Sequence, residues 1–408
     1  MLLVQRSWAQ LFAVAAVSLG FILPLRAHTI DQEQLRQRAL GRGYIGLYFG
    51  SSTSGYVFTK QEVLRTTDAG QTWQLLYAPP SPQQIEQFFF LNQGAGWIFT
   101  DTDGAFPVFL YRTIDGFVTM QPVGVDYQRH DKAATGTISN VFFLDADHGW
   151  ALGGANHVTF TSDGGHTWTA YLAPRALGHP LRLAMIPPAA GVSGTPAANP
   201  PMAAGIAATD RGIIRTTDGG ATWQPVPGTP PGSEDTQCDL QCVGPSTCMM
   251  VTAANSVFLS SDGGASWQRQ TVPIDRPPEG DGRDQIYKSQ LASPTRAYVF
   301  GVDTHIPPLG HRETTMPDGT VIRPRSRPTS FLVKYDGSTW ARTNYENIAA
   351  IGVGQFVDDL NGWAVSSANN IFRTTDGGQT WTTVQDYFRQ IAALTPSPTP
   401  FVLPTPSP

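Results

Sequence analysis

Arg373-Thr374-Thr375-Asp376-Gly377-Gly378-Gln379-Thr380-Trp381 follows the short lead-in Asn370-Ile371-Phe372, and close copies of it recur through the chain. Arg65-Thr66-Thr67-Asp68-Ala69-Gly70-Gln71-Thr72-Trp73 and Arg215-Thr216-Thr217-Asp218-Gly219-Gly220-Ala221-Thr222-Trp223 are nearly identical to it. Thr161-Ser162-Asp163-Gly164-Gly165-His166-Thr167-Trp168 and Ser260-Ser261-Asp262-Gly263-Gly264-Ala265-Ser266-Trp267 keep the same frame. Two weaker copies fill the gaps. Arg112-Thr113-Ile114-Asp115-Gly116-Phe117 has lost the Trp, and Lys334-Tyr335-Asp336-Gly337-Ser338-Thr339-Trp340 is one residue short.

The chemistry of the stretch is that of a hairpin turn. An Asp carboxylate accepts hydrogen bonds from backbone N–H groups two or more residues on and closes the turn on itself. Glycine permits the positive φ that a Cβ disfavours. The Thr and Trp open the return strand, and the Trp brings a large apolar body for packing. A motif repeated in every unit belongs to the scaffold. Asp68, Asp115, Asp163, Asp218, Asp262, Asp336 and Asp376 are therefore expected to lock turns, not to catalyse or to hold metal.

These seven Asp residues are spaced by 47, 48, 55, 44, 74 and 40 residues. Between them runs one cycle: an extended segment such as Ile138-Ser139-Asn140-Val141-Phe142-Phe143, a polar turn, a Gly-Trp strand, then the Asp turn and its return. Gly96-Trp97, Gly149-Trp150 and Gly362-Trp363 hold the same place in their units. Four short strands in about 40–50 residues is the period of a propeller blade. The expected fold is all-β, a seven-bladed β-propeller over residues 44–394. Closure is expected to use either the strand Tyr387-Phe388-Arg389-Gln390-Ile391-Ala392 or the first strand near Ile45-Gly46-Leu47-Tyr48, because an open ring leaves strand edges unpaired.

Composition agrees with many short strands and tight turns: of 408 residues, 41 are Gly and 33 Pro, and only 14% are charged. The net charge of −5 argues against nucleic acid, which calls for a basic stripe. Residues 1–27 read as an export signal, with Arg6 before an apolar run from Trp8 to Leu25 and Ala27 at the expected cut. The alternative is an uncleaved anchor, which would be the chain's one contact with a membrane. Residues 28–43 read as a leader and residues 395–408 as a Pro-rich disordered tail. The expected location is extracytoplasmic: secreted, periplasmic or cell-surface.

Function concentrates on long loops held by rigid scaffolds. In such a blade the loops between strands two and three share one face with the blade-to-blade loops, and the Asp turns share the other. Segment 303–328 of blade six carries His305, His311, Arg312, Arg323, Arg325 and Arg327. The 101–110 segment takes the same place in blade two, and the blade-to-blade loop 124–137 adds Arg129, His130 and Lys132. These nine residues are the candidate contacts for a protein partner in the cell envelope. Segment 187–204 reads as an excursion on the Asp-turn side. No cofactor is expected. Asp101-Thr102-Asp103-Gly104 stops short of a calcium loop with its terminal Glu and reads as a polar turn.

The pattern S/T-x-D-x-G-x-T-W identifies the repeats as Asp boxes, also called BNR repeats, over nearly all of residues 44–390. The Gly-Trp strand followed by Ile371-Phe372-Arg373-Thr374-Thr375-Asp376-Gly377-Gly378-Gln379-Thr380-Trp381 resembles in particular the photosystem II assembly and stability factor-like proteins. That resemblance implies an exported seven-bladed scaffold that binds other proteins. Hairpins of the superfamily often carry a Cys-x5-Cys pair, which Cys242 and Cys248 match; a pairing that uses Cys238 is the alternative. Sialidases and some endoglucanases also carry Asp boxes, so a glycoside hydrolase or a surface glycan-binding protein is the competing class. The sialidase Phe-Arg-Ile-Pro motif is absent from the chain, and Asp145 and Asp147 match Asp358 and Asp359 as a repeated turn.

Overall fold

The computed structural model describes residues 44–102, 105–123, 140–153, 157–172, 175–186, 203–230, 239–252, 254–274, 284–303, 314–315, 321–322, 329–345, 348, 351–366 and 370–384. The signal, leader and tail expected from the sequence, Cys238 and the strand proposed at residues 387–392 lie outside them.

The described strands form seven four-stranded antiparallel sheets, and each sheet is drawn from one continuous stretch of chain. Blade 1 is Tyr44–Phe49, Gly55–Thr59, Val63–Thr66 and Gln74–Tyr77; blade 7 is Ile351–Phe356, Gly362–Ser366, Ile371–Thr374 and Thr382–Thr383. The first strands of successive blades pack on one another around the ring, and the first strand of blade 1 packs on that of blade 7. The chain is a seven-bladed β-propeller. Among the described residues the first strand, Tyr44–Phe49, packs against blade 7 and neither end lends a strand to the other's sheet; residues 387–392, the other closing strand expected above, lie outside them.

The apolar core is divided into seven clusters, one at each joint between adjacent blades. Middle strands are therefore covered on both faces; all five residues of Gly55–Thr59 and of Gly205–Thr209 are buried. The Gly-Trp pair makes the joint. Gly149 stands opposite Phe143 and Gly362 opposite Phe356 in the strand register. A Cβ on Gly149 would sit 2.4 Å from the Phe143 ring, so only glycine lets that ring lie flat across its partner strand. The ring then stacks on the preceding blade: Phe143 on Trp97 at 3.6 Å, Phe49 on Trp363 at 3.9 Å and Phe356 on Tyr298 at 4.1 Å between centroids.

The indole of the same Trp reaches the next blade's Asp box. Trp97 Nε1 donates to Gly164 O at 2.9 Å, Trp150 Nε1 to Gly219 O at 2.7 Å, and Trp363 Nε1 to Ala69 O at 3.5 Å. Blade 4 has Ile206 at the Trp position and blade 6 has Tyr298. There the cation just before the Asp box takes over, with Arg215 Nε donating to Gly263 O at 2.9 Å and Lys334 Nζ to Gly377 O at 2.6 Å. Where Trp is present, Arg112 and Arg373 instead lie over the rings of Trp97 and Trp363. At five of the seven joints a carbonyl of the next Asp box is thus satisfied by an indole or a cation.

Near the axis, blades 5 to 7 use a second joint. Gln355 Oε1 accepts from Phe49 N at 2.8 Å while its Nε2 donates to Phe49 O at 3.0 Å. Gln290 grips Phe356 in the same way, at 2.7 and 2.8 Å, and Gln241 binds Leu291 N and Ser289 O. The equivalent positions of blades 1 to 3 hold Tyr48, Phe89 and Phe142, which pack by their rings.

Cys242 and Cys248 are disulfide-bonded across the first hairpin of blade 5. In the chain-entropy account, closing so short a loop contributes about 2 kcal/mol. Reduction, or Cys242→Ser with Cys248→Ser, is expected to lower the unfolding free energy in urea by about that amount without changing the far-ultraviolet spectrum. An unchanged urea midpoint would show that the hairpin is held by its strands alone.

Candidate partner-binding face

The two faces of the ring are set by backbone hydrogen bonds. In each of six blades an Asp-box amide donates to the turn joining strands one and two, for example Ala69 N to Thr53 O at 2.7 Å and Gly377 N to Leu360 O at 2.9 Å. Both turns therefore lie on one face. The turns between strands two and three and the blade-to-blade connections lie on the other.

On the Asp-box face the carboxylates serve their own turns. Asp68 Oδ1 accepts from Thr66 Oγ1 at 2.8 Å and from Thr72 N at 2.9 Å, Oδ2 accepts from Thr72 Oγ1 at 2.5 Å, and Thr66 Oγ1 accepts from Gly70 N at 2.8 Å. Asp115, Asp163, Asp218, Asp262 and Asp376 repeat this set on their own Thr or Ser partners. Asp336, in the short copy, has no Thr before it and instead caps Ser338 and Thr339. In blade 2 the missing Trp is compensated by Phe117, which stands in the place of the second glycine. It takes φ 70°, costly for a residue with a Cβ, and is buried among Tyr56, Phe58 and Phe90.

Burial pushes the Asp68 carboxyl up, but the Thr72 hydroxyl and amide and the Thr66 hydroxyl outweigh it and hold the group below its ordinary 3.8. Asp376 is brought down to about 2 by the same balance. Amides of Thr339 and Ser338 lower Asp336. Folded carboxyls that are more acidic than unfolded ones add stability above the ordinary value, and that stability is lost as pH falls through the folded values. The melting temperature is expected to be level near neutral pH and to drop between about pH 4 and about pH 2. Asp376→Asn should lower it at neutral pH and flatten the acid limb; a variant with the wild-type acid limb would contradict this assignment.

Asp145 and Asp358, which the sequence places in a repeated turn, are turn caps. Asp145 Oδ1 accepts from Asp147 N and His148 N, and Asp358 Oδ1 from Leu360 N and Asn361 N. Their neighbours join blades: Asp147 pairs with Arg112 at 3.6 Å, and Asp359 with Arg296. Among the described residues no three His, Cys, Asp or Glu side chains are grouped to hold a metal, and no helix is long and apolar enough to cross a membrane.

On the opposite face, Arg129, His130, Lys132, His305, His311, Arg312, Arg323, Arg325 and Arg327 all lie outside the described residues. What is described is the base from which the longest insertion springs. It leaves strand Arg296–Asp303, contributes the small hairpin of Thr314–Thr315 and Val321–Ile322, and returns at Thr329–Tyr335. The 101–110 segment is not a comparable insertion, because strands Gly96–Thr102 and Ala105–Thr113 extend through it and leave only residues 103–104 between them. At the root of the blade 6 insertion, Arg342 meets Asp284 through both terminal nitrogens at 2.5 and 3.0 Å and Asp303 at 3.7 Å, and lies over Phe331 at 4.1 Å. The Asp284 side chain has no solvent exposure. Nothing in the repeat pattern marks Arg342, since its partners lie in other strands.

The family model described as photosynthesis system II assembly factor YCF48 matches residues 123–275. The chain is an Asp-box β-propeller similar to the photosystem II assembly factors. Among solved structures, YCF48 bound to a D1 peptide superposes with TM-score 0.53 at 14% identity, covering 82% of this chain and 92% of that one. YCF48 from Cyanidioschyzon merolae is matched at TM-score 0.30 and 17% identity over 62% and 86% of the two chains. A GH74 xyloglucanase from Xanthomonas campestris is matched at 0.35 and 13% over 85% and 70%. No curated protein matches the chain. The Asp boxes of this propeller build its frame, and the connection between strands Arg296–Asp303 and Thr329–Tyr335 leaves from the face away from them.

Proposed function

We propose that this propeller is a non-catalytic scaffold that binds a protein partner outside the cytoplasm, through the insertions opposite the Asp boxes. The observation that carries the reading is the match of residues 123–275 to the YCF48 family model, within a fold shared with a YCF48 whose structure holds a D1 peptide. The carboxylates support it. A glycosidase general acid needs a carboxyl held above its ordinary value. Asp68, Asp115, Asp145, Asp163, Asp218, Asp239, Asp262, Asp336, Asp358 and Asp376 are all held below their ordinary value, by hydrogen bonds or a neighbouring cation that outweigh burial. The Cys242–Cys248 disulfide and the export-like residues 1–27 support an oxidising compartment. The basic side chains of 303–328 and 124–137 suit an acidic partner segment.

The test has two arms. The purified chain is assayed for hydrolysis of sialosides and of plant and bacterial polysaccharides, where no release of sugar is expected. It is also cross-linked in the cell envelope, with and without residues 304–328. A defined cross-linked protein that disappears on deletion supports the scaffold; release of reducing ends or sialic acid would replace it with an enzyme.

A further inference from the structure

The short Asp box of blade 6 differs from the others at one backbone amide. Six of the described turns carry Asp followed by Gly, at Asp115, Asp163, Asp218, Asp262, Asp336 and Asp376. In five of them the Gly is buried and donates its N–H to the turn between strands one and two. Gly116 donates to Gly94 O, Gly164 to Asp147 O, Gly219 to Ala203 O, Gly263 to Ser246 O and Gly377 to Leu360 O, at 2.7–2.9 Å. Gly337 is exposed, and among the described residues its N–H meets no acceptor. The facing hairpin explains the difference. In blade 6 only Pro294 and Thr295 join strands one and two, and a Cβ on Gly337 would sit 3.0 Å from Thr295 Cβ. Gly337 thus meets a side chain where the other glycines meet a carbonyl.

An unbonded amide that follows Asp can react with it. Gly337 N gives up its proton and attacks Asp336 Cγ; a C–O bond of the carboxyl breaks, its oxygen leaves as water, and a succinimide ring closes. Water then opens the ring at either carbonyl. One route restores Asp, and the other leaves isoaspartate, with the chain running through Cβ and Cγ. One water leaves and one enters, so no other reagent is needed. Glycine has no side chain to hinder the attack. Ionisation slows the reaction at all six pairs, since each carboxyl is held below its ordinary value. The amide is what sets Asp336 apart, because a bonded, buried N–H must first be released by local opening. The chain's one Asn–Gly pair is guarded: Gly362 is buried at the start of a middle strand, and the Asn361 amide donates to Asp358.

We propose that Asp336–Gly337 is a modification site, the one Asp–Gly pair among the described residues that converts to isoaspartate in the folded chain. The change lengthens the backbone of the turn and removes the cap on Ser338 and Thr339. That turn sets strand Trp340–Tyr345, which carries Arg342, against Thr329–Tyr335.

The full chain is incubated at neutral pH and physiological temperature, and isoaspartate is located residue by residue by electron-transfer fragmentation of its peptides. It is expected to accumulate at Asp336 and to stay at its starting level at Asp115, Asp163, Asp218, Asp262 and Asp376. In urea the six should react alike; a preference for Asp336 that survives unfolding would assign it to local sequence and overturn the proposal. Asn variants remove ionisation from the comparison. Folded Asp336→Asn is expected to deamidate about tenfold faster than folded Asp376→Asn, the factor expected for releasing one buried hydrogen bond. Circular dichroism checks the fold, and Asp218→Asn takes the place of Asp376→Asn if that variant unfolds. Equal rates in the folded variants, no isoaspartate at Asp336, or an equal rise at any of the other five also overturns the proposal.

Discussion

Trp97→Ala is expected to destabilise the propeller by about 3–5 kcal/mol, measured as a shift in the urea midpoint at constant slope. Three contacts are lost together. The fully buried indole leaves a cavity at the joint of blades 2 and 3, Phe143 loses the ring on which it stacks at 3.6 Å, and Gly164 O loses its donor at 2.9 Å. Trp97→Phe keeps most of the packing and leaves only the carbonyl unmet, which should cost about 1–3 kcal/mol. The pair of variants thus separates packing from hydrogen bonding. If Trp97→Phe costs nothing, the carbonyl at the joint is satisfied by water and the indole N–H is incidental; if both variants cost the same, the hydrogen bond and not the packing carries the joint.

The second large effect is expected at the root of the blade 6 insertion. Arg342→Met should cost about 3–5 kcal/mol, because it leaves the Asp284 carboxylate in a dry site without its guanidinium. The discriminating measurement is the double variant with Asp284→Asn. Removing both charges should recover much of the loss, since the penalty belongs to the stranded charge and not to the missing contact. A double variant as unstable as the sum of the singles would assign the cost to Arg342 packing over Phe331 instead. The single variant should also loosen the strand ends at Asp303 and Thr329, so partner capture through 304–328 is expected to fall with it.

The blade count is legible because each Asp box is local chemistry. Thr66, Asp68, Gly70 and Thr72 bond one another within six residues, so the turn is written where it forms. The joints are written only in part. Gly-Trp recurs visibly, but the carbonyl that Trp97 serves lies 67 residues on, in the next blade. Gln355 and Phe49 are 306 residues apart, and no periodic signal links them. Arg215 and Lys334 look like ordinary repeat positions until the indole they replace is seen to be absent from their blades. Phe117 reads as a damaged repeat; in the fold it fills the joint between blades 1 and 2. The candidate partner residues were legible only as charge on long loops, a pattern that places them on a face without fixing their contacts.

Because every sheet is cut from one uninterrupted stretch, the ring resembles a bracelet with a clasp. Six joints are backed by a covalent connection between blades, and the seventh, between blades 7 and 1, is backed by none. Among the described residues it rests on the apolar cluster around Phe49 and Trp363, on the Trp363 bond to Ala69 O and on the two bonds of Gln355. Tension applied to the two ends of the propeller would fall on that joint before any sheet had to unzip. By the same reasoning, joining the ends and cutting the chain at another blade boundary would move the clasp around the ring and leave every sheet as it was.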